Sequence, residues 1–263
     1  MKIQGSRVLI TGANRGLGKA FAEAFLKAGA AKVYAGARDI GTMSSAVTRT
    51  MSSAMSGATS GAMHDRRVTP VRLDVTSPAD IDAALAQCAD IDILVNNAGR
   101  MRMQPLLEPG TAELARAEME VNYFGTLSMS RAFAPVLVKN GGGCIVNMLS
   151  VASWYTYAFN PAYCASKAAA LAVTDGLRTE LAPHGTQVVG VFAGFIDTDM
   201  AAKVTDAKVT PQEVALRTLV GIEAGCDEVF GDDISRTFRE TLNRDAASVR
   251  AEMARLYRES LRQ

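Results

Sequence analysis

Val8-Leu9-Ile10-Thr11-Gly12-Ala13-Asn14-Arg15-Gly16-Leu17-Gly18 runs from a short apolar strand signal through a glycine-spaced loop into the start of a helix. Gly12, Gly16 and Gly18 keep side chains out of the turn, so backbone amides can approach a pyrophosphate while the helix dipole favours its charge. The same spacing also suits a tight packing turn that binds nothing. The rest of the chain has to separate the two.

Outward from that loop, apolar runs of strand length recur at 8–11, 32–37, 68–73, 91–95, 144–149 and 188–192, with segments of helical period between them. Strands buried on both faces read as near-continuous apolar runs, and parallel neighbours need helical crossovers. The pattern predicts an α/β fold: a doubly wound parallel sheet of Rossmann type in a three-layer α/β/α arrangement. In such sheets ligands bind at the carboxyl ends of the strands near the switch in strand order. The Gly12 loop, Asn96-Asn97, Ser150 and Gly194 would converge there.

Thr210-Pro211-Gln212-Glu213 is a helix start with proline at its first position, and the helix should run to Gly225. A short strand at Glu228–Phe230 and one final charged amphipathic helix are expected to follow, giving a helical extension over about 232–263. Its arginines, from Arg236 to Arg262, read as a solvated face. Residues 41–63, rich in Ser, Met and Gly and almost without charge, are too long for a tight crossover and read as a surface excursion. With no internal repeat or long linker, 1–263 reads as one dinucleotide-binding catalytic domain.

Composition excludes several functions. The 263 residues are 48% apolar with a formal net charge of +1, enough for a large core and too balanced to hold a nucleic-acid backbone. No apolar run approaches the ~20 residues of a membrane span, and the start lacks a signal-peptide pattern. Cys88, Cys144, Cys164 and Cys226 are scattered, and the two histidines are His64 and His184. A reduced, metal-free cytoplasmic protein fits, and a zinc alcohol dehydrogenase or a Ser-His-Asp hydrolase does not.

Tyr163 and Lys167 stand four residues apart, just past the helix-start signal Asn160-Pro161. A tyrosine ionises near pH 10, and lowering that by about three units takes roughly 4 kcal/mol, which an ammonium one turn away and an oxidised nicotinamide would supply. Tyr34 and Arg38 share the spacing, but on a strand they would lie about 13 Å apart. A Tyr-x-x-x-Lys pair alone is a common solvent-facing pair. Ser150 changes that reading: it ends an apolar strand and emerges beside the Tyr163 helix, where its hydroxyl can donate to a substrate carbonyl.

These motifs resemble the short-chain dehydrogenase/reductase family over roughly Arg7 to Met200: the Thr11-to-Gly18 loop, Asn96-Asn97-Ala98-Gly99, Ser150 and Tyr163-x-x-x-Lys167 occur in the family's order. The resemblance implies cofactor contacts from Gly12, Asn14, Arg15, Gly16, Leu17 and Gly18. It also implies Asp74 and Val75 at the adenine, Asn97, Ala98 and Gly99 beneath the adenosine, and Gly194, Ile196 and Thr198 at the carboxamide. Asn122 matches the family's helix asparagine, which carries a water in a proton relay through the lysine. Two departures stand out: Ala193-Gly194 replaces the usual Pro-Gly, and the usual final strand with its Asp-Gly-Gly-type turn is absent past Gly225. The second counts against a tetramer built through the carboxyl terminus; a homodimer or homotetramer is otherwise expected.

The implied reaction is hydride transfer between a nicotinamide and a ketone, aldehyde or secondary alcohol, with Tyr163 as general acid/base, Ser150 holding the oxygen, Lys167 on the nicotinamide ribose and Asn122 in the relay. Arg15 and Arg38 suit the 2′-phosphate of NADP(H), with NAD(H) as second choice because Asp39 could turn toward the ribose instead. Trp154, Tyr155, Tyr157, Phe159 and Phe195 could form an apolar substrate wall or equally serve as packing residues, and 197–209 is a candidate for a segment folding over the substrate. Two alternatives stay open. One is a 3-oxoacyl thioester reductase docking through Arg100, Arg102 and Arg131; the other is a catalytically silent NADP sensor.

Overall fold

A computed structural model of the chain describes residues 1–41 and 65–260. The expected excursion at 41–63 therefore lies outside the described residues, Gly41 apart. Seven strands are present among them: β1 (Arg7–Thr11), β2 (Lys32–Ala37), β3 (Val68–Arg72), β4 (Ile93–Asn96), β5 (Gly143–Met148), β6 (Thr186–Phe192) and β7 (Glu228–Phe230). They form one parallel sheet in the order β3-β2-β1-β4-β5-β6-β7. β1 has β2 on one side and β4 on the other, so the strand order reverses there and opens a crevice at the carboxyl ends.

The apolar runs explain the layering. Val8 and Ile10 face one side of β1 and Leu9 the other, and all three are wholly buried. On one face, α1 (Gly16–Lys27) and α6 (Pro211–Ala224) pack Phe21, Phe25, Val214 and Ile222 against the sheet. On the other, α2 (Pro78–Gln87) and α4 (Thr126–Lys139) bring Ile81, Phe133 and Leu137. α5 (Pro161–Leu181) lies beside α4 on that second face and adds Leu181. The doubly wound, three-layer fold expected from the pattern is the one present.

Caps set the ends that matter. α6 starts at Thr210, whose hydroxyl accepts from the Glu213 N–H at 3.2 Å, and stops at Gly225, which takes a left-handed conformation with φ +73°. α3 (Thr111–Met119) runs through a π-helical segment, Glu120–Gly125, directly into α4. A π-turn inside a helix re-aims the side chains that follow it. Asn122 sits on this one.

The carboxyl-terminal region corrects two expectations. The single final helix is two, α7 (Asp233–Arg244) and α8 (Ala246–Ser260). Asp245 leaves the helix at φ −151°, ψ 79°, and its carboxylate accepts from the Ser248 N–H at 3.0 Å, capping the next helix. Nor is this region only a solvated face. Val249 is buried, Phe238 meets Tyr155 edge-on at 5.8 Å, and Tyr257 meets Phe159 at 5.7 Å.

Candidate active site

At the end of β1 the chain turns through Gly12 at φ +68° and Gly16 at φ +52°, conformations that favour glycine, and a Cβ on Gly18 would collide with the Gly12 carbonyl. α1 begins with no side-chain cap and no acid in its first turn. Its leading amides are therefore left without a side-chain acceptor of the helix's own, as binding an anion there requires. The loop is stapled to the end of β4. The Thr11 hydroxyl accepts from the N–H groups of Asn97 and Ala98, both at 2.9 Å, while the Asn97 side-chain amide donates to the Thr11 carbonyl at 2.8 Å. The Asn97 amide is thus committed to the loop.

Asn160-Pro161 opens α5 as read, which places Tyr163 in its first turn and Lys167 one turn on. Ser150 caps the short turn after β5. Its hydroxyl accepts from Ala152 N–H at 3.2 Å, donates to the Ala193 carbonyl at 3.3 Å, and faces the Tyr163 phenol closely enough to favour the phenolate. Burial nonetheless dominates and pushes the phenol above its ordinary value. Lys167 is 5% exposed, its Nζ donates to the Met148 carbonyl at 2.7 Å, and burial pulls its pKa down to about 8. That ammonium lies 5.8 Å from the centre of the Tyr163 ring. The expected acidification of the phenol by Lys167 is therefore not seen in the protein alone, because desolvation disfavours both charged forms.

Asn122 is buried and its side chain is fully occupied. Oδ1 accepts from Arg100 N–H at 2.9 Å, and Nδ2 donates to the Arg100 carbonyl at 2.9 Å and to Ser166 Oγ at 2.8 Å. Ser166 in turn donates to the Tyr163 carbonyl at 2.7 Å. This side chain braces the segment after β4 against the Tyr163 helix. Ser166 escaped the sequence reading because a serine inside a helix carries no distinguishing signal.

A family model described as short chain dehydrogenase matches residues 6–209. The chain belongs to the short-chain dehydrogenase/reductase family. Among solved structures it is similar to a short chain dehydrogenase from Burkholderia cenocepacia J2315 in complex with NADP, at 41% identity and TM-score 0.86, covering 96% of this chain and 99% of that one. It is also similar to a family member from Burkholderia phymatum in complex with NAD, at 26% identity and TM-score 0.78, covering 94% and 95%. A sorbitol dehydrogenase from Cereibacter sphaeroides is 35% identical over 202 residues, 75% of this chain and 73% of that protein.

For this family member the remaining site residues fall as follows. Arg38 follows β2 and is exposed, and Asp39 accepts from the Gly41 N–H at 2.9 Å within its own turn. Asp74 accepts from Thr76 N–H at 2.9 Å and Thr76 Oγ1 at 2.8 Å; against the effect of burial, these bonds and the charge of Arg38 hold its carboxyl below the usual range. Val75 is buried under the Gly125 backbone. Arg15 is paired with Asp199 at 2.9 Å, on an exposed bridge from the glycine loop to the segment after β6. Its neighbour Thr198 lies so close to Gly16 that a Cβ there would come within 3.1 Å.

That segment is knitted to itself: Asp197 N–H donates to Val209, and Val209 N–H to Phe195, both at 2.9 Å. Gly194, by contrast, is held from outside, its N–H donating to Asp232 at 2.8 Å. Asp232 was missed in the sequence, although Asp232-Asp233-Ile234-Ser235 is a helix-cap signal. Trp154 takes the packing role, one of the two readings open to it. It stacks on Phe192 of β6 at 4.1 Å and lies under Arg239 at 4.8 Å, so its ring is packing. Among the described residues no helix is long and apolar enough to cross a membrane, and no group of three or more metal-ligating side chains is assembled.

Proposed function

We propose that this chain is an NADP(H)-dependent oxidoreductase that interconverts a carbonyl compound and its alcohol, with Tyr163 as the general acid/base. The observation that carries the reading is the Ser150 hydroxyl set beside the Tyr163 phenol, where it favours the phenolate, with the Lys167 ammonium one helical turn behind it. The Gly12–Gly18 cradle, with its uncapped helix start, fits a dinucleotide pyrophosphate. Arg15 and Arg38 supply positive charge for a 2′-phosphate, and Asp39 is occupied by its own turn, which favours NADP(H) over NAD(H). The cofactors of the two Burkholderia structures support NADP(H) as first choice and NAD(H) as second.

The bound dinucleotide would supply or accept the hydride and, when oxidised, place a positive ring charge in the site. Tyr163 gives its phenolic proton to the carbonyl oxygen during reduction and takes it back from the alcohol in reverse. Ser150 holds that oxygen by its hydroxyl. Lys167 keeps a proton on the Met148 side of the phenol, and Asn122 holds Ser166 and Arg100 so that the first turns of α5 stay in register.

The test is turnover of a panel of ketones, aldehydes and sugar alcohols with NADPH and NADH, the alcohols being included because of the sorbitol dehydrogenase likeness. With an active substrate in hand, Tyr163→Phe should lower turnover by about a hundredfold or more while NADPH binding persists. Tight NADPH binding without turnover on any substrate would instead make the protein a sensor.

A further inference from the structure

One turn before Asn122, the same helix face carries a second acceptor. Glu118 precedes Asn122 by four residues on the continuous helix from α3 into the π segment, the spacing that stacks two side chains on one face. Asn122 takes the Arg100 N–H at 2.9 Å, and Glu118 Oε1 takes the Arg102 N–H at 2.7 Å. Alternate amides of the segment after β4 are thus received by successive turns of one helix.

Glu118 is wholly buried, and its other oxygen, Oε2, has no hydrogen-bond partner among the described residues. Burial pushes its carboxyl up, toward the neutral acid, against the Arg102 N–H and the charge of Arg100. From α5 it is faced by Tyr163 and Cys164. A methionine would fill this space without the unmet Oε2 but would take away the acceptor of the Arg102 N–H, so the carboxyl here is accounted for by that bond and not by packing.

The segment it holds leads to the chemistry. A Cβ at Gly99 would stand 3.5 Å from Asn122 Oδ1 and 4.0 Å from Lys167 Nζ, so any shift of this backbone reaches the lysine. We infer that Glu118 is a positioning residue for the hydride-transfer site: with Asn122 it fixes the Gly99–Arg102 backbone against Lys167 and the first turn of the Tyr163 helix. It touches neither substrate nor cofactor and acts as a hydrogen-bond acceptor rather than a charge. This inference rests on the functional reading of Tyr163 and Lys167 given above.

The experiment compares Glu118→Gln, which keeps a carbonyl acceptor, with Glu118→Met, which keeps length and burial but no acceptor. Glu118→Met should lower kcat by about tenfold with NADPH affinity unchanged, since small misplacements near reacting groups have effects of this size, while Glu118→Gln stays within about twofold of wild type. Amide hydrogen exchange at Arg102 should quicken in the methionine variant and stay slow in the glutamine variant, a readout that needs no substrate. Wild-type kinetics and exchange in the methionine variant would overturn the inference, as would a glutamine variant as impaired as the methionine one. If Glu118→Met does not fold, the glutamine variant decides: slow Arg102 exchange with normal kcat supports the role, and fast exchange or a tenfold loss refutes it. Failure of the wild type to turn over any carbonyl or alcohol would sink the functional reading instead, leaving the exchange comparison to decide what Glu118 holds.

Discussion

The backbone N–H of Gly194 donates to the carboxylate of Asp232 at 2.8 Å, joining residues 38 apart in sequence. The other oxygen of Asp232 accepts from Ser235 N–H at 2.5 Å and caps α7. Where the family usually stiffens this turn with a proline, the present chain has Ala193-Gly194 and a buried carboxylate reaching across from the start of α7. One side chain thus fixes both the end of β6 and the start of the carboxyl-terminal helices.

Asp232→Ala should therefore lower stability by about 2–4 kcal/mol, the sum of a lost helix cap and a lost charged hydrogen bond. Asp232→Asn keeps one acceptor oxygen and should fall between the two. Urea unfolding measures both, and an alanine variant within about 0.5 kcal/mol of wild type would mean that neither bond matters.

Arg15 and Asp199 bridge the glycine loop to the segment after β6 at 2.9 Å, with both side chains more than two-thirds exposed. Such pairs contribute about 0–1 kcal/mol, so Asp199→Asn should leave the melting temperature nearly unchanged. It should, however, release Arg15 for a 2′-phosphate and tighten NADPH binding about two- to fivefold at low salt, with NADH unaffected. Equal tightening of both nucleotides, measured by titration calorimetry, would show that Arg15 does not read the phosphate.

The doubly wound parallel sheet, the Gly12 turn and the start of the Tyr163 helix were legible because they depend on local rules: apolar runs, glycine where φ is positive, and proline at a helix start. What escaped depends on contacts between distant residues. Nothing around Glu118 marks it as buried, since it lies in a helix with Glu113 and Glu120 that looks solvated in sequence. Trp154 stayed open between substrate wall and packing because its place between Ser150 and Tyr163 was visible, whereas its stacking on Phe192 was not. The break at Asp245 was missed because the charged pattern continues unbroken across it.

Between Ser150 and Tyr163, the chain is clasped by the carboxyl-terminal helices through Tyr155–Phe238 and Phe159–Tyr257. Each edge-to-face pair contributes about 0.5–1.5 kcal/mol beyond its burial, so losing both frees this segment without unfolding the sheet. The double variant Phe238→Ala/Tyr257→Ala should raise KM for the carbonyl substrate by about three- to thirtyfold and leave NADPH affinity alone. A matching loss of NADPH affinity would show that the clasp supports the cofactor site instead.

Lys167 gives the pH prediction. Its folded pKa, about 8, lies below its ordinary value of 10.5, because burial penalises the ammonium. Below pH 8 both folded and unfolded chains hold the proton, and the folded state bears the whole penalty, roughly 3 kcal/mol. Between pH 8 and 10.5 the folded lysine has lost its proton while the unfolded one keeps it, so the unfolded chain binds more protons and stability rises with pH. Relative to Lys167→Met, wild type should therefore gain about 2 kcal/mol of stability from pH 8 to 10. The lost bond to the Met148 carbonyl adds only an offset independent of pH. Unfolding of both proteins across that range decides it: a flat difference, or a wild type that weakens relative to the variant, would mean that Lys167 is not a desolvated cation in the folded protein.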